Sequence, residues 1–346
     1  MTHARLVLAG SAVQPGERTR IDLRLPNLYT QTPVIMPVHV VRGRQPGPRL
    51  FITACVHGDE INGVEIIRRL LQQPALRRLC GDLLAVPVVN VYGYVRQTRY
   101  LPDRRDLNRS FPGSDTGSLA ARLAATLMGE VVAEATHGID LHTGALHREN
   151  LPQIRATLDG DDQTATLAEV FGAPIILDGD LRPGSLRAVA AARGIPTLLY
   201  EAGEALRFDA VAIRTGLRGI LRVMRHLGMI RGLPRLRPAP RRPLVARSSV
   251  WVRADQSGVL LSLAPLGARV HRGDVLGTIT DPFRPSDDPV LAPIDGIVIG
   301  RTNLPLVTEG EAIYHIAAAD GDVSGSAAES GHPEHTADDE DRELML

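Results

Sequence analysis

The sequence predicts an α/β protein, with a mixed, largely parallel sheet flanked by helices and a small all-β barrel domain behind it. Three observations carry that expectation. Apolar runs of strand length alternate with helical stretches, each run ends in polar residues, and beyond a Pro- and Arg-rich segment the pattern turns to short strands with Gly turns and no clear helix.

Residues 1–45 alternate apolar and polar positions, as in Arg20-Ile21-Asp22-Leu23-Arg24-Leu25 and Val34 through Val41, which suits an antiparallel strand pair. Apolar runs follow at Arg49–Val56, Leu83–Asn90, Gly138–Leu141 and Thr197–Tyr200. Helical stretches are expected between them at about 61–73, 117–135, 162–171 and 209–227. Strands without alternation, separated by helices, belong to a sheet covered on both faces. The division expected is a catalytic domain over 1–231, a linker over 232–244, a β-barrel, lipoyl-like domain over 245–318, and a disordered acidic tail over 319–346.

Composition excludes several classes of function. The 346 residues are 44% hydrophobic and 23% charged, enough for one large core and a smaller second one. Net charge is zero and aromatic residues make up 3%, so nucleic acid is not an expected partner. No apolar run reaches the roughly 18 residues that span a bilayer, and Met1 through Gly10 reads as a first strand rather than a signal peptide. Cys55 and Cys80 are too few for a disulfide framework, so reduced thiols in a cytoplasm are expected. Every one of the 39 basic residues is arginine, which rules out Schiff-base lysine chemistry, a P-loop lysine and lysine-linked cofactors.

Polar residues gather just after the strands, where open α/β sheets place their ligands. His57-Gly58-Asp59-Glu60 puts an imidazole and a carboxylate three residues apart in a loop entering a helix, a pattern that alone is common by chance. Asp140-Leu141-His142 ends another strand. His142 could complete a His, Glu, His set with a position left for water, the ligand count of a catalytic zinc. Asp140 could orient an imidazole or simply cap a loop. Glu201, directly after a third strand, suits a general acid/base better than Glu204, whose ordinary reading is a surface or helix-start acid. Arg99, and Asn108-Arg109 in Asp106 through Gly113, offer donors for a carboxylate or an oxyanion, although in so arginine-rich a chain any one arginine is usually a surface residue.

With His57, Glu60, Asn108, Arg109, His142 and Glu201 in this order, the chain resembles the succinylglutamate desuccinylase/aspartoacylase family of the zinc carboxypeptidase clan. The resemblance covers roughly residues 30–318, and it is the joint set that is specific. It implies one zinc per chain on His57, Glu60 and His142, with Arg99 polarising the substrate carbonyl. It further implies Asn108 and Arg109 on the substrate carboxylate and Glu201 as general acid/base. The branch most resembled is the prokaryotic one with a C-terminal β domain. There Leu291 through Ile316 is similar to a biotinyl/lipoyl-like barrel, without a lysine to carry a cofactor. The segment His147–Arg155 also resembles that branch and adds Arg148, Asn150 and Arg155 as candidate substrate contacts.

The expected activity is zinc-dependent removal of an acyl group from an N-acyl amino acid or related small amide. A carboxypeptidase-type metallopeptidase and a non-catalytic zinc or ligand-binding protein are the rival readings. The partner expected is a small N-acylated molecule, with no membrane and no nucleic acid, and homo-oligomerisation is left open.

Overall fold

The computed structural model describes residues 5–158, 162–231, 243–283 and 287–318. It divides into two compact units, Met1–Ser248 and Ser249–Leu346.

In the first unit β1 (Leu6–Leu8) and β2 (Ser11–Val13) form a hairpin. Then β3 (Arg18–Leu25) and β4 (Val34–Arg42) pair antiparallel, with the alternating burial that their sequences announce. Next in chain order are β5 (Gln45–Ala54), α1 (Asn62–Leu71), β6 (Cys80–Val86), α2 (Val91–Arg96), α3 (Leu119–Leu127) and β7 (His137–Gly144). The unit ends with β8 (Arg148–Ala156), α4 (Asp162–Phe171), β9 (Ile175–Asp178), α5 (Leu186–Ala192), β10 (Thr197–Glu204), α6 (Ala210–His226) and β11 (Leu244–Ala246).

Neighbouring strands run in the order β11, β9, β8, β10, β7, β5, β6, β4, β3. The centre, β10, β7, β5 and β6, is parallel, and β8 and β4 on either side of it are antiparallel to their inner neighbours. The mixed, largely parallel sheet predicted from the sequence is therefore present.

Alternate residues of the central strands feed two cores. Leu50, Ile52 and Ala54 of β5, with Ile139 and Leu141 of β7, pack under α1, α4 and α6. Phe51 of β5 points the other way, into a core with α3, α5 and the inward residues of β3 and β4. Helices on both faces explain why the strands read as continuous apolar runs. Ser118, Ser185 and Asp209 cap α3, α5 and α6 by accepting the amides of Ala121, Ala188 and Ala212.

Three features differ from expectation. The helix expected over 117–135 is α-helical only to Leu127 and continues as one π-helical turn, Met128–Val132. Strand β8 and helix α5 were not foreseen, because β8 is interrupted by polar residues and α5 is a short alanine-rich stretch with little periodicity. Of the expected linker, 232–242 lies outside the described residues, and Leu244 already begins β11, which joins the first unit beside β9. The expected acidic tail, 319–346, also lies outside them.

The second unit is built of β12 (Ser249–Arg253), β13 (Gly258–Ser262), β14 (Arg269–Val270), β15 (Val275–Thr280), β16 (Asp287–Leu291), β17 (Gly296–Thr302), β18 (Leu306–Val307) and β19 (Ala312–Ala318). Strands β12, β19, β17 and β14 pair in that order, and β16, β15, β13 and β18 form a separate sheet, antiparallel throughout. Leu276, Ile279, Val298, Ile313 and Ile316 share one core between them. No helix among the described residues is long and apolar enough to cross a membrane.

Phe171 is the keystone of the α4 and α6 layer. Its ring is fully buried, lies 5.1 Å from that of Tyr200, and packs where any Cβ on Gly219 of α6 would come within 2.2 Å. Phe171→Ala is expected to cost about 3–5 kcal/mol, read as a lower urea midpoint. An unchanged midpoint would show that the layer closes without this ring.

Candidate functional site

Peptide directions decide which side chains meet. On β7 the apolar Ile139 and Leu141 enter one core, so Asp140 and His142 face the other side of the sheet. Register pairs Thr53 of β5 with Asp140, and His142 with Glu201 of β10, which in turn pairs with Gln153 of β8. A row of polar side chains thus runs across the carboxyl ends of the parallel strands, on the face covered by α3 and α5.

The loop after β5 brings the remaining groups. Cys55 takes a left-handed φ of 51° and its thiol donates to the Glu60 carbonyl at 3.1 Å, bending the chain back over the strand end. Gly58 is obligatory there, since a Cβ would lie 2.1 Å from the backbone carbon of Gly93 in α2. Buried Asn62 donates to the Ala202 carbonyl at 3.3 Å and accepts the Asp209 amide at 3.0 Å, tying the start of α1 to β10 and α6. Buried Asn90 accepts the Gly93 amide and donates to the Arg99 carbonyl at 3.2 Å, which fixes the segment carrying Arg99.

These constraints place His57, Glu60 and His142, all buried, so that one ligand atom from each lies within 4.8 Å of the others. Glu60 stands in the middle. Its Oε1 is 2.6 Å from His57 Nδ1, and its Oε2 is 2.8 Å from His142 Nδ1 and accepts the Thr143 amide at 3.1 Å. Each imidazole has a second carboxylate behind it. His142 Nε2 donates to Asp140 Oδ2 at 2.7 Å, and Asp140 Oδ1 accepts the Thr53 hydroxyl at 2.7 Å. His57 Nε2 faces Asp106 Oδ1 at 3.3 Å. Arg99 closes the circuit, with Nη2 donating to Asp106 Oδ2 at 2.9 Å and Nη1 at 3.3 Å from His57 Nδ1.

The electrostatics follow from this crowding. Burial would raise the Glu60 carboxyl, but the His57 and His142 imidazoles hold it far below the usual carboxylate range. Asp106 behaves alike: burial pushes it up, and His57 and Arg99 pull it well down. Burial opposes a proton on either imidazole, and Arg99 adds to that at His57. Even so, Glu60 and Asp106 raise His57, while Asp140 and Glu60 raise His142 further. Three carboxylates against one guanidinium leave two negative charges when the imidazoles are neutral. A divalent cation would balance that charge, and imidazole nitrogens with a carboxylate oxygen are a zinc donor set. Carboxylates behind the outer nitrogens complete the arrangement usual for metal-bound histidine. The residues present therefore fit a zinc ion.

The other expected residues lie around this centre. Glu201 is on the same face, one strand beyond His142, and turns toward β8, where Arg155 Nε is 2.6 Å from its Oε2 and Gln153 Nε2 donates to the same oxygen at 3.4 Å. Arg155, read from the sequence as a substrate contact, thus pairs with Glu201. Buried Asn108 accepts the Leu186 amide through Oδ1 at 3.0 Å, locking the Asp106–Ser110 turn to α5. Arg109 folds along its own turn, Nη1 donating to the Asn108 carbonyl at 2.9 Å. Arg148 is half-buried at the start of β8, and buried Asn150 pairs in register with Gly203 beyond the Glu201 row.

Glu204 is not a surface acid. It is buried at the bulge ending β10, accepting the His147 amide at 3.1 Å with Arg207 Nε at 3.3 Å. Sequence reasoning missed Asp106 as the carboxylate behind His57, and missed Arg187. The latter is 8% exposed on α5, donates through Nη2 to the Asp180 carbonyl, and leaves Nη1 buried without a hydrogen-bond partner among the described residues. Burial, with Arg155 nearby, lowers its guanidinium to about 10. A lone arginine in an alanine-rich segment carries no motif, so the sequence offered no signal for it.

Residues 46–227, more than half of the chain, match the model of the succinylglutamate desuccinylase/aspartoacylase catalytic domain. The chain is 29% identical over 294 residues to the N-alpha-acetyl-L-2,4-diaminobutyric acid deacetylase of Halomonas elongata, an overlap covering 82% of this chain and 86% of that protein. A crystal structure of a succinylglutamate desuccinylase/aspartoacylase from Rhodobacter sphaeroides superposes with a TM-score of 0.78 at 28% identity, covering 89% of this chain and 98% of that one. The product-bound ectoine utilization protein EutE (DoeB) from Ruegeria pomeroyi shares the fold, with a TM-score of 0.77 at 24% identity over 88% of this chain and 98% of its own. The chain belongs to the succinylglutamate desuccinylase/aspartoacylase family.

Proposed function

We propose that this protein is a zinc-dependent amidohydrolase that removes the acyl group from a small N-acyl amino acid. The observation that carries the reading is the buried convergence of His57, Glu60 and His142, each imidazole backed by a carboxylate. The Halomonas deacetylase, similar over most of both chains, makes an N-acetylated diamino acid the first substrate to try. The second unit is proposed to be the C-terminal β domain of the prokaryotic branch, in line with near full-length overlap with the Rhodobacter structure.

Zinc on His57, Glu60 and His142 would acidify a water molecule and polarise the acyl carbonyl. Glu201 accepts the proton of the attacking water and returns it to the leaving nitrogen. Arg99, fixed by Asp106 beside His57, carries part of the oxyanion charge. Arg109 and the NH2 of Asn108 hold the substrate carboxylate from the turn anchored on Leu186, and Arg148 and Asn150 on β8 are proposed as further contacts. Each part of this assignment uses a group that the chain supplies within one sheet face and its loops.

The purified protein is expected to hold about one zinc per chain and to release amine from at least one member of a panel of N-acetyl, N-succinyl and N-formyl amino acids and diamines, beginning with Nα-acetyl-L-2,4-diaminobutyrate. Glu201→Gln should keep its zinc and lose roughly 10²–10⁴ in kcat. Turnover of this variant at the wild-type rate would remove Glu201 from the mechanism.

Asp140→Asn should weaken zinc binding about 10- to 100-fold, measured by competition with a chelating dye, because the nitrogen behind His142 loses its carboxylate. In the metal-free protein both imidazoles are raised, so zinc must displace protons from them. Its apparent affinity should therefore climb as pH rises through their range. An affinity independent of both the substitution and pH would mean that the ion sits elsewhere.

A further inference from the structure

We propose that Arg155 is a positioning residue, whose guanidinium sets the carboxylate of Glu201 in place for proton transfer. The proposal rests on the reading of Glu201 as the proton acceptor.

The geometry is specific to the antiparallel pairing of β8 with β10. Gln153 lies opposite Glu201 and Arg155 opposite Leu199, so the arginine reaches diagonally across one step of the sheet to the glutamate. Both β8 side chains meet the same oxygen: Arg155 Nε is 2.6 Å from Glu201 Oε2 and Gln153 Nε2 is 3.4 Å from it. Gln153 is fully buried and cannot be exchanged for solvent. With Oε2 committed to β8, Oε1 is the oxygen that takes up and returns a proton.

A glutamate without these partners has several rotamers open to it. Arg155 and Gln153 select among them the one that turns the carboxylate toward β8. A misplacement of about 1 Å at a reacting group can cost on the order of 10² in rate. Arg155 therefore acts through Glu201 and touches no reacting atom.

The test is a double-mutant cycle on kcat and KM for the acyl-amino acid that the wild type turns over best, using wild type, R155A, R155K, E201Q and R155A/E201Q. R155A is expected to lower kcat about 10- to 100-fold with KM within about threefold, and R155K to recover part of the loss. In the E201Q background, removing Arg155 should cost less than about threefold more, since the group it positions is already inactive. Zinc content and melting temperature are measured in every variant. If R155A does not fold, R155K and R155K/E201Q make the same comparison.

A raised KM with unchanged kcat would make Arg155 a substrate contact and overturn the proposal. So would an undiminished loss in the E201Q background. E201Q turning over like wild type would instead sink the underlying assignment of Glu201, and an inactive wild type would sink the proposed function as a whole.

Discussion

Everything in the first unit's site depends on one carboxylate shared between two imidazoles. Glu60 is buried with an oxygen against each ring, a position that would be costly for a charge without partners. The cost is offset only because His57, His142 and the Thr143 amide all face it, and because Asp106 and Asp140 fix the rings from behind. Losing both imidazoles would leave the Glu60 charge with only the Thr143 amide in a buried site. With both imidazoles neutral the cluster carries an excess of two negative charges, which fits the cation proposed for it. The carboxylates on either side raise both imidazoles despite their burial, Glu60 and Asp106 at His57 and Asp140 and Glu60 at His142.

The sheet supplies the directions and the loops supply the distances. Strand alternation commits Ile139 and Leu141 to one core and thereby commits Asp140 and His142 to the site. The same alternation on β10 and β8 sends Glu201, Gln153 and Arg155 to that face. Loop residues then hold the other half of the cluster, Gly58 by allowing α2 to pack at backbone contact and Asn90 by gripping the Arg99 carbonyl. Thr53, Asp140, His142, Glu201 and Gln153 thereby form a polar row toward the carboxyl ends of the parallel strands, on the face that α3 and α5 also cover.

The fold class was legible because buried parallel strands leave continuous apolar runs, as at Arg49–Val56, while His57 and His142 stood out by following such runs directly. What escaped reading depends on relations that a linear pattern does not carry. Strand β8 has Gln153 and Arg155 on its inner side, so it lacks an apolar signature although it pairs with β10 along most of its length. Asp106 meets His57 only once the Asp106–Ser110 turn docks on α5, and α5 brings Arg187 near Arg155 and Glu201. Glu204 looked like a surface acid because nothing in Tyr200-Glu201-Ala202-Gly203-Glu204 shows the bulge that turns it inward.

The two glutamates of the site are chemically equivalent side chains separated in role by their partners. Glu60 has both oxygens engaged, by two imidazoles and an amide, and is held far below the usual carboxylate range, so it has no place for a proton. Glu201 has one oxygen paired with the Arg155 guanidinium and accepting from Gln153 Nε2, both of them on β8. A group that must gain and lose a proton within each cycle needs an oxygen lone pair to take that proton, and a group that holds a cation must offer one to the ion. The division between ligand and base in the proposed mechanism matches what surrounds each glutamate: two imidazoles and an amide around Glu60 in the loop after β5, and the β8 side chains Arg155 and Gln153 beside Glu201 on β10.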